Sequence, residues 1–126
     1  MLMNLLEMGT MQELIRVMKA LSDETRLRII RILFEKECCV CEVMQALDIS
    51  QTRASRNLGI LQKAGFLKTR RDGPWIVYSI DRETTNQYTS ALTKLLEESP
   101  TSSQLLVKDR ERLKNAKRIG PGCTAK

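Results

Sequence analysis

Four cysteines stand in the chain, at positions 38, 39, 41 and 123, and three of them fall inside the run ECCVCE at residues 37–42. Thiols so crowded make a poor disulfide framework. In a reducing cytoplasm they point instead to metal binding or redox sensing. A single free cysteine is commonly just a small buried hydrophobe. Three at the start of a predicted helix, where the dipole and unpaired N–H groups favour thiolate, argue for a functional site. The chain contains no histidine, which removes the commonest partner in zinc sites and the imidazole-rich nickel and cobalt sites. A closed tetrahedral zinc site would need four thiolates, or a carboxylate such as Glu37 or Glu42. Three thiolates without a fourth strong donor suit a soft, three-coordinate, pyramidal centre such as As(III) or Sb(III). Residues two apart on an α-helix point away from each other, whereas residues three apart are neighbours. Cys39 and Cys41 would therefore share an ion only if their turn unwinds. Cys38 and Cys41 would meet without distortion. The third donor is either Cys38 or Cys123, the latter brought in by a flexible tail of the same or a partner chain.

A second chemistry follows directly behind the first. From Ser50 to Arg71 there are six cations (Arg53, Arg56, Lys63, Lys68, Arg70 and Arg71) and no carboxylate. Ser50 is a good helix N-cap, because its hydroxyl accepts an N–H that the first turn leaves unpaired. Ala54, Leu58, Leu61 and Ala64 then form one apolar stripe at helical spacing. Gln51, Thr52, Arg53, Ser55, Arg56 and Lys63 lie on the opposite face. Gly65 supplies a left-handed stop. Residues 67–71 and 75–80 read as two strands joined by a turn at Asp72-Gly73. Small hydrogen-bonding side chains and arginines at a helix start, followed by a basic hairpin carrying Arg70 and Arg71, fit a DNA major groove with a wing on the backbone. The net charge of +6 agrees with a polyanionic partner.

The elements that must position these groups follow from periodicity. Met11, Leu14, Ile15, Met18 and Leu21 predict a first helix over residues 10–21; Leu2, Leu5 and Leu6 either extend a dimer interface or fray. Ser22 or Asp23 caps a second helix over residues 24–35, whose Leu27, Ile29, Ile30, Ile32, Leu33 and Phe34 mark it as central to the core. A short third helix from Val40 buries Val40, Val43, Met44 and Leu47. With the turn Asp48-Ile49-Ser50 it makes a helix-turn-helix. A fifth helix is expected over residues 84–98, with Tyr88, Ala91, Leu92, Leu95 and Leu96 on one face. After Ser99-Pro100, a loosely docked helix and a disordered GPGCTAK are expected. The expected fold is a mainly α winged helix-turn-helix with five to six helices and a two-stranded hairpin, residues 1–98 forming the domain and 99–126 a tail. The apolar opening MLMNLLEM is too short for a signal segment and is broken by Asn4 and Glu7. No run is long enough to span a bilayer, so a cytoplasmic protein without membrane attachment is expected.

Three segments together, ALSDETRLRIIRIL, ECCVCEVMQALDISQTRASRNLGILQKAGFL and RRDGPWIVYSI, resemble the arsenical-resistance repressor (ArsR/SmtB) family of bacterial winged-helix metalloregulators over residues 11–96. CVCEV ahead of the ALDISQ turn is similar to the arsenic-binding CVCDLC pattern. The resemblance implies a homodimer pairing its first and fifth helices, bound in the apo form to a palindromic operator and released by metalloid. Carried over by position, it implies binding thiols at Cys39 and Cys41. It implies DNA contacts at Gln51, Thr52, Arg53, Ser55 and Arg56, with Arg70 and Arg71 on the wing. The chain departs from the pattern at Met44, where the last cysteine would stand, and at the additional Cys38. The family's zinc-type site of Asp and His on the last helix has no histidine to use. Rival readings are a persulfide or peroxide sensor, a Cd(II) or Pb(II) responder, a non-specific nucleic-acid binder and a thiol-dependent reductase. The last lacks a histidine base, a Gly-rich phosphate loop and any cofactor fingerprint. No resident cofactor is expected, only an effector.

Overall fold

A computed structural model describes residues 9–99 and 102–119. Six helices and three short strands follow in the order α1 (Met11–Leu21), α2 (Glu24–Glu35), β1 (Cys38–Cys39), α3 (Val40–Leu47), α4 (Gln51–Ala64), β2 (Leu67–Asp72), β3 (Trp75–Ile80), α5 (Gln87–Glu98) and α6 (Gln104–Asn115). The architecture is a winged helix-turn-helix. Five of the six helix starts carry a polar cap: the side chains of Thr10, Asp23, Ser50, Asn86 and Ser103 accept from first-turn amides. The fifth helix begins at Gln87, later than expected at residue 84, because the Asn86 carboxamide oxygen takes the amides of Tyr88 and Thr89.

α2 runs through the middle of the core. Ile29, Ile30, Ile32 and Leu33 are buried there with Val17, Val43, Leu47, Leu58, Leu61 and Phe66. Leu27 faces out, and Arg28, a residue of the opposite character, is buried in the same helix. The α3–α4 connection turns on Asp48, whose left-handed backbone (φ 57, ψ 52) ends α3. Asp tolerates that region better than most residues. Ser50 then starts α4, and Gly65 at φ 100 stops it. Arg26 Nη1 of α2 ties down α4 by donating to the buried Asn57 Oδ1 at 2.8 Å, while Asn57 Nδ2 donates within α4 to Arg53 O at 2.8 Å.

The wing differs from the expected two-stranded hairpin. β3 is flanked by both other strands in an antiparallel sheet of order β1-β3-β2, with Cys38 opposite Tyr78 and Cys39 opposite Val77. A two-residue strand is too short to leave a period in the sequence. The turn also shifts by one. Asp72 pairs with Trp75, so the loop is Gly73-Pro74, with Gly73 at φ 61. Proline cannot adopt positive φ, so the first loop position alone takes it.

The helix expected to be loosely docked after residue 101 is firmly seated. Its Leu113 and Asp109 are buried. Asp109 accepts from Arg28 at 2.9 Å through both oxygens, and Arg28 Nη2 also donates to Leu47 O at 2.9 Å. Arg112 Nε donates to Ala46 O at 2.8 Å. The charged run KDRERLKNAKR docks because Asp109 and Arg112 find their partners in α2 and α3. No helix among the described residues is long and apolar enough to cross a membrane.

Candidate nucleic-acid interface and thiol site

α4 turns its polar face outward. Gln51, Thr52, Arg53, Ser55 and Arg56 are all exposed on its first turns, while Ala54, Leu58 and Leu61 are buried beneath them. Ser50 is exposed too, but its hydroxyl is engaged in capping, accepting Arg53 N at 3.2 Å. Arg53 Nη2 donates to Thr25 Oγ1 at 2.8 Å, which braces this arginine against α2. On the wing, Lys68, Thr69, Arg70 and Arg71 are exposed along β2. Arg70 is paired with Glu37; its hydrogen bond holds the Glu37 carboxyl below the usual range. The fold thus brings the N-terminal turns of α4 and the wing onto the exposed surface. Lys63 stands apart from the residues at the start of α4. It lines a groove with Gln12, Ile15, Arg16 and Lys19 of α1, at the far end of the helix.

The three clustered cysteines divide between two environments. Successive residues of a strand point to opposite faces. Cys38 faces the main core, where its sulfur meets Lys36 O at 3.5 Å. Burial, reinforced by the Glu42 charge, pushes the Cys38 thiol up to about 12. Cys39 and Cys41 face the other way and pack together against Trp75. Their sulfurs are 3.0 Å apart.

This corrects the expectation that the two would need an unwound turn to meet. Cys39 is not helical; it is the N-cap of α3, extended at φ −85 and ψ 174, and that single non-helical residue swings its sulfur onto Cys41. The pairing expected between Cys38 and Cys41 is not formed, because β1 sends Cys38 to the opposite face. The expected thiolate stabilisation is corrected as well. Burial raises the Cys39 thiol, outweighing the backbone amides of Glu42 and Cys41 that pull it down. Cys41 is disulfide-bonded, so a thiol chemistry of the pair belongs to the reduced chain. Cys123 lies outside the described residues. Among the described residues, no three Cys, Asp, Glu or His side chains converge on a common metal position.

Five residues surround the thiol pair in ways that the sequence reading did not anticipate. Glu42, considered only as a metal donor, returns its Oε1 to Cys39 N at 2.9 Å; the C-x-x-E spacing is that of a capping box and was legible as such. Lys36 Nζ lies 3.2 Å from Glu42 Oε2. Burial would raise the Glu42 carboxyl, but the Cys39 amide, Lys36 and Arg118 together hold it below the usual range. Gln45, Trp75 and Arg118 complete the surroundings, and their partners lie far along the chain. Gln45 Nε2 donates to Lys117 O at 2.6 Å, and Trp75 Nε1 donates to Ile119 O at 3.2 Å. The guanidinium of Arg118 sits 5.8 Å from the Trp75 ring centre. Spacing could not have announced these contacts.

Comparison with known proteins agrees with this geometry. Residues 23–69, spanning α2 to the start of the wing, match the model of the bacterial regulatory protein, arsR family. The chain is 41% identical over 90 residues to the arsenic resistance transcriptional regulator ArsR1 of Pseudomonas putida, covering 68% of this chain and 70% of that protein. It is 41% identical over 73 residues to a cadmium resistance transcriptional regulatory protein CadC homolog of Staphylococcus aureus, covering 57% of this chain and 60% of that protein. Among solved structures it resembles the homodimeric winged helix-turn-helix DNA-binding domain Mb0332 of Mycobacterium bovis, with a TM-score of 0.58 and 30% identity over 68% of this chain and 76% of that one. Fold, exposed basic helix and these relatives together place the chain in the arsR family of bacterial regulatory proteins, which are DNA-binding transcriptional regulators and not enzymes.

Proposed function

We propose that this chain is a dimeric, metalloid-responsive repressor acting in the reducing cytoplasm, which holds a palindromic operator until As(III) or Sb(III) binds its thiols. The observation that carries this reading is the Cys39–Cys41 pair, two sulfurs 3.0 Å apart at the foot of α3 and in contact with the wing's Trp75. Two soft donors in van der Waals contact chelate one soft atom, and the absence of histidine from the chain argues against harder-ligand metals. With arsenite, each thiol loses its proton to a departing hydroxide. Two S–As bonds and two waters form, with no change of oxidation state. Cys123 is the better-supported third donor, since Cys38 faces the core. The resistance names of the relatives support an effector of this kind, and the cadmium-resistance relative keeps Cd(II) and Pb(II) as comparison ions.

DNA binding would be carried by Gln51, Thr52, Ser55 and Arg56 reading the groove, with Arg53, Arg70 and Arg71 positioning the backbone. Lys63, beside the cations of α1, would add long-range attraction. Dimerisation is supported by the exposed apolar side chains of α1 and α5, Met11 (74% exposed), Ile15, Met18 and Leu95, and by the homodimeric relative. Residues 1–98 would supply both DNA binding and dimerisation, with residues 99–126 as a tail.

Titration of the reduced, operator-bound chain with arsenite, antimonite, Cd(II) and Pb(II), followed by fluorescence anisotropy, tests this reading. The expected result is release by the metalloids with a coupling of about 1–3 kcal/mol. Cys39→Ser with Cys41→Ser should bind the operator and ignore arsenite; release of that double variant would remove the thiol assignment. Arg56→Ala should weaken operator binding while leaving the thiolate–As(III) absorbance intact. A second reading, a thiol redox sensor, is favoured by the disulfide at Cys41. It predicts release by peroxide or polysulfide and indifference to arsenite.

A further inference from the structure

We propose that residues 117–119 form a latch that joins the thiol pair to the wing, with Arg118 as the positioning residue, and that a ligand on Cys41 opens it. The inference rests on the thiol reading above and names the mechanical step by which that site reaches DNA.

Three consecutive residues beyond α6 each grip a different part of the site. Lys117 is held at both ends of its neighbouring amide links: its N–H donates to Gln45 Oε1 at 3.0 Å, and its carbonyl accepts from Gln45 Nε2 at 2.6 Å. Arg118 spans the gap between α3 and the wing tip. Its Nε donates to Glu42 Oε1 at 3.2 Å and its Nη1 to Asp72 Oδ2 at 2.5 Å. The Ile119 amide donates to Cys41 Sγ at 3.2 Å, while its carbonyl accepts from Trp75 Nε1. The backbone of residue 119 therefore sits on the sulfur that a metalloid would take, and the side chain of residue 118 holds the end of the wing.

Two consequences follow from filling that sulfur. Arsenic bonded to Cys41 on this side would meet the Ile119 backbone, because the amide nitrogen is already at hydrogen-bond distance. In the reduced chain the Cys41 S–H bond and one As–OH bond break, an S–As bond forms and water leaves, with arsenic on the side of the sulfur that faces the Ile119 amide. The segment lifts, and Arg118 leaves Asp72. Asp72 closes a strand in which every preceding residue from Ser50 on is free of acid. Paired with Arg118 its charge is covered. Uncovered, it faces phosphates beside Arg70 and Arg71 and opposes them. Opening the latch thus loosens the wing and uncovers one negative charge at its tip.

Trp75, the single tryptophan of the chain, is a built-in reporter. Arsenite added to the reduced full-length chain should red-shift its emission with the same half-saturation as the thiolate–As(III) absorbance. Arg118→Ala should show the shifted emission with no arsenite present. It should hold a duplex selected by the wild-type chain roughly 3–10-fold more weakly, and should lose most of the further drop that arsenite causes. Adding Asp72→Asn to Arg118→Ala should restore arsenite-free operator binding to within about twofold, since the uncovered charge is gone; a merely structural arginine would not be rescued this way. The latch is overturned if Arg118→Ala keeps wild-type emission and operator affinity, or if arsenite saturates the thiols without moving Trp75 emission. Should the loaded wild type hold its operator unchanged, the regulatory reading fails. The two Arg118 variants, compared without arsenite, would still decide whether Arg118 sets the wing.

Discussion

α6 grips α2 through a sealed ion pair, and the segment after it grips the wing through a half-exposed one. In the first, Arg28 and Asp109 meet with side chains 10% and 1% exposed, and the Asp109 hydrogen bond raises the Arg28 guanidinium further. In the second, Arg118 is 24% exposed and its wing partner Asp72 is 47% exposed. A buried pair cannot be opened without stranding a charge in the core. A pair open to water opens at little cost. The same arm thus fixes α3 at its C-terminal end, near Leu47, and leaves its N-terminal end, near the thiols, free to respond.

The largest effect expected from breaking this contrast lies at the sealed end. Asp109→Ala leaves Arg28 buried without its partner and should cost about 3–5 kcal/mol of stability, read as a lower urea midpoint at unchanged slope. A loss comparable to that of an exposed pair would remove the distinction between the two grips.

Cys38 sharpens the contrast on the cysteine side. Cys38→Ala should cost about 1 kcal/mol, the usual price of a buried point change, while arsenite affinity of the reduced chain stays within about twofold of wild type. A tenfold loss of arsenite affinity would make Cys38 a donor after all. Alkylation by iodoacetamide should likewise spare Cys38 in the folded chain until pH approaches the raised value of about 12, and label it on unfolding.

The smallest effect is a pH dependence at the open end. The folded-state carboxyl of Glu42 lies below its ordinary value, so its stabilisation is fully present above the unfolded value and is lost as pH falls through the folded one. Stability should therefore decline in acid below the ordinary glutamate range, and Glu42→Gln should flatten that part of the profile. An identical acid profile in the variant would show that Glu42 does not hold the α3 start.

The expected bounds and buried stripe of α4 rested on local chemistry, and the structure keeps them. Ser50 caps, Gly65 stops, and the stripe from Ala54 to Ala64 is buried, because each signal acts within one or two helical turns of itself. The hairpin was legible for the same reason, although Pro74 moved its turn by one residue. The thiol geometry turns on a single residue: the expected Cys39–Cys41 spacing was that of a helical turn, whereas Cys39 is the extended cap ahead of it.

What the sequence by itself determined, then, is the set of helices, the exposed polar face of α4 and the crowding of three cysteines before α3, all written in spacings shorter than a helix. Only the tertiary structure decided which sulfurs meet and what covers them. Arg118 reaches Asp72 across 46 positions and Ile119 reaches Cys41 across 78. No periodicity or capping rule operates over such separations; the contacts need α6, seated by the buried Arg28–Asp109 pair, to end beside the start of α3.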